Sequence, residues 1–165
     1  MIQLTEKIFG TSGIRGGIER KVTVDLAMRL GRGLGTYLKG RGTVGVGTDA
    51  RTSNQMLLNA FVSGVVSTGT HVISLAEAPM PTVASHSTMS DIDASVIITA
   101  SHNPPTDNGF KFFKEGREFV REEEVFLEER VRDGKFISAE WSEIGHIKSW
   151  NIRPSYFRRV HEFLN

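Results

Sequence analysis

Short apolar runs alternate with helix-length amphipathic stretches along most of this chain, and that alternation constrains its fold more than any other feature. Thr43–Gly47, His71–Leu75, Ala94–Thr99 and Phe110–Phe113 have the length and β-branched or aromatic content of strands. Between them, Ala27, Leu30, Leu34 and Leu38 recur at helical spacing behind Thr23, a predicted N-cap. Leu57, Ala60, Phe61, Gly64 and Val65 mark a second helix, opened by Thr52-Ser53-Asn54-Gln55 as a predicted capping box and closed by Gly69. A short helix is expected over residues 81–89, entered through Pro81. Another is expected from Arg121 to Arg132, with Glu122, Glu123 and Glu124 matched to its positive end. Alternating strand and helix predict a three-layer α/β/α sandwich around a mostly parallel, mixed sheet. Ala94–Thr99, apolar on both faces, is its predicted central strand.

Other segments carry weaker signals. The glycine-rich opening, Phe9 to Gly17, is expected to be a loop. Asn108-Gly109 is expected to supply the positive φ of a tight turn. Gly31, Gly33 and Gly35 each weaken the first helix by roughly 1 kcal/mol relative to alanine, which close packing of that helix onto the sheet explains. Ser149–Pro154 reads as a connector and Tyr156–Leu164 as a helix without a place in the domain. The domain is therefore set at 1–150, with 151–165 a linker or the start of a second domain.

Composition narrows the class. The 165 residues amount to about one domain, and 20 Lys and Arg against 19 Asp and Glu leave a charge of +1. No basic excess argues for nucleic acid. There is no cysteine, which excludes disulfides, thiolate nucleophiles and Cys-ligated metals. No apolar run approaches the ~20 residues of a membrane span. Met1–Lys7 lacks the layout of a secretory signal. A soluble, cytoplasmic protein is expected.

Thr99-Ala100-Ser101-His102-Asn103-Pro104-Pro105 carries the most chemistry. Ser101 follows a buried strand at its C-terminal end, the edge at which open α/β sheets bind ligands. A free serine is a poor nucleophile and needs a proton acceptor or a cation nearby, for which His102 and Lys111 are available. The residues alone favour a polar turn, since neighbouring side chains on an extended backbone point opposite ways.

Thr99–Pro104 followed by Asp107-Asn108-Gly109-Phe110-Lys111 resembles the phosphoserine loop of the α-D-phosphohexomutases, the family of phosphoglucomutase, phosphomannomutase and phosphoglucosamine mutase. Phe9-Gly10-Thr11-Ser12-Gly13-Ile14-Arg15-Gly16, Val46-Gly47-Thr48-Asp49-Ala50-Arg51 and Pro79-Met80-Pro81-Thr82 are similar to three further motifs of that family, in the same order. The resemblance implies that Ser101 carries the exchanged phosphoryl group and offers an oxygen to Mg²⁺. It implies Lys111 as acid/base or electrostatic partner, Arg15 as a phosphoryl contact and His102 as part of the site. It also implies a phosphosugar substrate (a glucose, mannose or glucosamine phosphate) interconverted between 1- and 6-phosphates through a bisphosphate, and the remaining domains of a parent enzyme as partners. The family's Asp-x-Asp-x-Asp-Arg metal motif is not matched, Asp91-Ile92-Asp93 being the nearest approach. Nor are its sugar-selecting and phosphate-binding loops. The expectation is a first domain, incomplete on its own.

Rival signals are weaker. Gly45-Val46-Gly47-Thr48-Asp49-Ala50 matches G-x-G-x-x-A, but its strand is short and Glu77 lies well beyond the ~20 residues at which a dinucleotide fold places its acidic residue. Asp49 and Arg51 read instead as a structural pair fixing the turn. His71, His86, His146 and His161 lack ligand spacing and read as surface or packed histidines. The alternative from another class is a non-catalytic α/β module that binds a phosphorylated ligand or a partner domain.

Overall fold

A computed structural model describes residues 7–164; most of the opening Met1–Lys7 segment lies outside them. Strands β1 (Ile14–Gly17), β2 (Thr43–Thr48), β3 (His71–Glu77), β4 (Ala94–Ile98), β5 (Asp107–Lys114) and β7 (Ile147–Ser149) form one sheet in the order β1-β5-β4-β2-β3-β7, with β6 (Arg117–Glu118) pairing to β5. The inner strands β4, β2 and β3, with β7, run parallel, whereas β5 is antiparallel to both β4 and β1. Helices α1 (Val24–Tyr37), α2 (Asn54–Val66) and α4 (Arg121–Asp133) cover one face over a core that includes Val44, Val96, Phe110 and Phe112. The other face meets α3 (Met80–His86), where Val83 packs with Leu75, Ile97 and Phe113. This is the expected three-layer mixed α/β/α sandwich, and every residue of β4 is buried.

Several local expectations change. The opening is not all loop, because Ile14–Gly17 adds β1 to the sheet, with Arg15 facing Gly109. Asn108-Gly109 lies inside β5 rather than in a turn. Glycine is needed there for space, since a Cβ at Gly109 would overlap the carbonyls of Ile14 and Thr99. The hairpin turn falls later, at Glu115 (φ 53°) and Gly116 (φ 80°), the paired positive angles of a two-residue turn between β5 and β6. Finally, residues 147–149, too short for a periodic signal, form β7 beside β3. After it Ile152 is buried, whereas helix α5 (Arg153–Leu164) buries none of its residues.

Thr23 caps α1 as expected, its Oγ1 accepting from the Leu26 N–H at 3.2 Å. The glycines of α1 serve helix–helix packing instead of helix–sheet packing. A Cβ at Gly31 would overlap the Phe61 carbonyl of α2, and one at Gly35 would overlap Thr68. The close approach therefore outweighs the helix-propensity loss. On α4, Glu128 is 2% exposed and accepts from the Ile8 and Phe9 N–H groups, both at 3.0 Å, while Arg121 donates to its other oxygen at 2.8 Å. That buried carboxylate ties the segment leading into β1 to the helical layer.

Gly31→Ala is expected to destabilise the chain by about 2 kcal/mol, opposite in sign to the ~1 kcal/mol that helix propensity alone would give. Urea unfolding of the variant checks the sign. Glu128→Ala, which strands the two buried N–H groups of Ile8 and Phe9, is expected to lower stability by about 3 kcal/mol in the same assay.

Candidate active site

β2 and β4 run parallel with Thr48 opposite Ile98, so Asp49 and Thr99 leave the sheet side by side. The Thr99 hydroxyl donates to Asp49 Oδ2 at 2.6 Å and accepts from the Ser101 N–H at 2.9 Å. Arg51 reaches across the same edge. Its Nε donates to Asp49 Oδ2 at 3.2 Å; one terminal nitrogen donates to the carbonyls of Pro104 and Asp107, the other to those of Ser101 and Asn103, all within 2.6–2.9 Å. The pair read from sequence as fixing a turn thus also fixes the whole Ser101 loop.

Beneath the loop lies a polar network that the sequence did not reveal. Asn54 Nδ2 donates to the Asp49 carbonyl and carboxylate at 2.6 and 2.7 Å. Asn108, fully buried on β5, donates to Ser53 Oγ and Asn54 Oδ1, both at 2.8 Å. Ser53 makes no side-chain cap on α2, so the expected capping box is absent: its residues hold β5 and Asp49 instead. Burial by itself pushes the Asp49 carboxyl up. Hydrogen bonds from Thr99, Asn54 and the Arg51 N–H, with the Arg51 charge, outweigh it and hold the group below its usual 3.8.

Ser101 is exposed, with φ +57°, a left-handed conformation unusual for a residue with a Cβ. The backbone is therefore not extended, and the His102 ring comes to Ser101 after all, with Nδ1 3.5 Å from Oγ, a long contact. Arg15 stands level with Gly109, whose carbonyl accepts from the Thr99 N–H at 3.0 Å, so β1 brings Arg15 to the edge that Ser101 leaves. Arg15 donates to Ser12 Oγ at 3.2 Å, and its Nε is buried without a partner among the described residues. Lys111, two residues further along β5 on the same face, is 7% exposed and donates to Glu118 Oε1 at 2.6 Å. It lies on an interior strand, between β1 and β4. Ser101, His102 and Arg15 thus lie at the carboxyl end of β4, whereas Lys111 sits within β5 opposite Ile97. Glu118, opposite Phe113 and brought back by the Glu115-Gly116 turn, pairs with Lys111 without any signal in the sequence.

No group of three or more His, Cys, Asp or Glu among the described residues could hold a metal. Asp93, the nearest approach to a metal motif, accepts from the Thr43 N–H at 2.8 Å. The residues present do not fit a Mg²⁺ site of their own. A cleft of about 410 Å³ lies at the opposite end of the sheet among Lys39, Arg41, His71 and His146, and shares no residue with the Ser101 loop. His71 and His146 stack there at 5.5 Å, while His86 is buried against Trp150. Among the described residues no helix is long and apolar enough to cross a membrane.

Fold and site define an α/β/α domain that presents an exposed, conformationally strained serine on a braced loop at the carboxyl edge of its sheet. The chain belongs to the phosphoglucomutase/phosphomannomutase family: residues 6–138 match its alpha/beta/alpha domain I. It is 46% identical to the phosphopentomutase of Thermococcus kodakarensis over 159 residues, 96% of this chain and 35% of that protein. It is 44% identical to a "Probable phosphoglucosamine mutase" of Pyrococcus abyssi over 155 residues, 93% of this chain and 34% of that one. A phosphoglucomutase/phosphomannomutase family protein of Burkholderia thailandensis superposes with a TM-score of 0.84 at 27% identity, over 97% of this chain and 36% of that chain. The chain thus spans about a third of the length of these relatives.

A depressed carboxyl pKa contributes stability that is complete above the unfolded value and is lost as pH falls through the folded one. Stability is therefore expected to decline as pH drops below about 3.8. Asp49→Asn should flatten that part of the profile while lowering stability at neutral pH; urea unfolding at stepped pH reads both.

Proposed function

We propose that the chain is the serine-bearing domain of a phosphosugar mutase. Ser101, phosphorylated, meets a sugar monophosphate. The Oγ–P bond breaks as a bond forms from phosphorus to the sugar hydroxyl oxygen; that hydroxyl loses its proton and Ser101 Oγ gains one. The sugar bisphosphate then returns its other phosphoryl group to Ser101 by the reverse step, so that a 1-phosphate has become a 6-phosphate or the converse. Lys111 is the acid/base or electrostatic partner. Arg15 contacts the equatorial oxygens, where phosphoryl transfer asks a protein for positive charge, and His102 shapes the site. A phosphorylated Ser101 would give Mg²⁺ a single oxygen. The remaining domains of a parent enzyme and a cytoplasmic location belong to the same reading.

The observation that carries it is the exposed Ser101, held at φ +57° on the sheet edge that also receives Arg15, whose Nε has no partner among the described residues. A hexose phosphate (of glucose, mannose or glucosamine) is the substrate read from the motifs. The 46% identity to a protein named phosphopentomutase favours a pentose phosphate as a second reading.

Incubation of the intact protein with glucose 1,6-bisphosphate, and separately with ribose 1,5-bisphosphate, should place phosphate on Ser101 by peptide mass spectrometry. Ser101→Ala should lose mutase turnover by at least about 10³-fold. A Ser101→Ala protein that still accepts phosphate and turns over removes Ser101 from the mechanism.

A further inference from the structure

Arg51 lies on the turn between β2 and α2, on the same edge as Ser101, and a cation there invites assignment to the phosphoryl group. Its hydrogen bonds argue otherwise. A guanidinium has five N–H donors. Here five acceptors receive them: Asp49 Oδ2 and the carbonyls of Ser101, Asn103, Pro104 and Asp107. The side chain is 13% exposed, so it is enclosed by the loop it holds. No donor is left over for a phosphate oxygen. The fork instead spans both ends of the bend, from Ser101 to the first residue of β5. Within that span the loop's own backbone bonds are few: the Asn103 N–H to the Ala100 carbonyl at 3.1 Å and the Asp107 N–H to the Pro104 carbonyl at 3.0 Å.

We propose that Arg51 is a positioning residue for phosphoryl transfer: it fixes the backbone from Ser101 to Asp107, and hence the serine hydroxyl, without touching the transferred group. The inference rests on the reading of Ser101 as the phosphoryl carrier. Asp49 and Thr99 complete the brace, the first by orienting the guanidinium, the second by holding the Ser101 N–H. Lysine has three donors on one nitrogen and cannot replace a planar fork.

The test compares wild type, Arg51→Lys and Thr99→Val in the intact protein. Hydrogen exchange of peptides covering residues 99–108 is expected to quicken at least tenfold in both variants, with β4 and α2 unchanged. Ser101 phosphorylation by a saturating sugar bisphosphate is expected to slow about 100-fold in rate constant in Arg51→Lys, the loss typical of a reacting group displaced by about 1 Å. The half-saturating concentration and the final extent of phosphorylation should stay as in wild type. A merely structural role would reduce the fraction of molecules phosphorylated and leave the rate constant alone, which overturns the inference. So does a variant whose loop amides and rate constant match wild type. Should Arg51→Lys fail to fold, Thr99→Val carries the same comparison, with the same two outcomes. A wild-type protein that takes no phosphate on Ser101 overturns the phosphoserine reading, and this inference with it.

Discussion

One guanidinium holds the Ser101 loop to the sheet. Between Thr99 and Asp107 the chain turns away from β4 and comes back as β5, crossing Pro104 and Pro105, neither of which has an N–H to donate. Carbonyls on such a path have few backbone donors, and each hydrogen bond made to one contributes roughly 0.5–1.5 kcal/mol. Arg51 supplies four of them at once. Its ion pair with the part-exposed Asp49 contributes only about 0–1 kcal/mol as charge attraction. Satisfying carbonyls therefore outweighs pairing charges, and Asp49 matters for aiming the fork. Because Arg51 precedes α2, and Asn54 of α2 meets Asn108 of β5, the loop, the helix and two strands are fixed to one another through polar contacts.

The two cations flanking this loop are in different electrostatic states. Lys111 is almost fully enclosed, where an unpaired ammonium would be expensive, and Glu118 satisfies it at 2.6 Å. That partner exists because Glu115 and Gly116 both take positive φ and return the chain along β5, setting Glu118 opposite Phe113 and on the face of Lys111. A strand of two residues thereby gives the lysine its carboxylate partner. Among the described residues Arg15 has no such carboxylate; it donates to the Ser12 hydroxyl, and its Nε is buried without a partner there.

Much of this was legible in the sequence. The layer order follows from alternating periodicities, and β4 was recognisable because burial on both faces removes polar residues from a strand. The Thr23 cap was legible because its hydroxyl bonds locally, to the Leu26 N–H three residues on. Ser53 and Asn54 misled for the complementary reason: the side chains that cap helices also bridge strands, and here Asn108, far off in sequence, claims them. Asn108-Gly109 carried a turn signature, yet the glycine answers a different demand, the nearness of the Ile14 and Thr99 carbonyls. Glu115-Gly116 is the true turn, and a glutamate at positive φ leaves no compositional trace. That Ser101, His102 and Arg15 share one edge was expected only from motif resemblance, since pairing between β1 and β5 is a long-range event that no local pattern encodes.

The strain at Ser101 gives these contacts a common purpose. A left-handed conformation costs a residue with a Cβ roughly 1–2 kcal/mol, and glycine would remove that cost while also removing the hydroxyl. The conformation must therefore be imposed from outside. Both backbone polar groups of Ser101 are held, the N–H by Thr99 Oγ1 and the carbonyl by Arg51, and each of those partners is in turn held by Asp49. With the peptide on either side fixed, the chief freedom left to the hydroxyl is rotation about χ1. A group confined to one torsion at an exposed edge samples few positions, and confinement of that kind can supply several kcal/mol towards a transfer reaction before any charge is counted. Such an arrangement needs a rigid support more than a strong nucleophile, which fits a reaction in which the protein contributes little covalent chemistry beyond lending an oxygen.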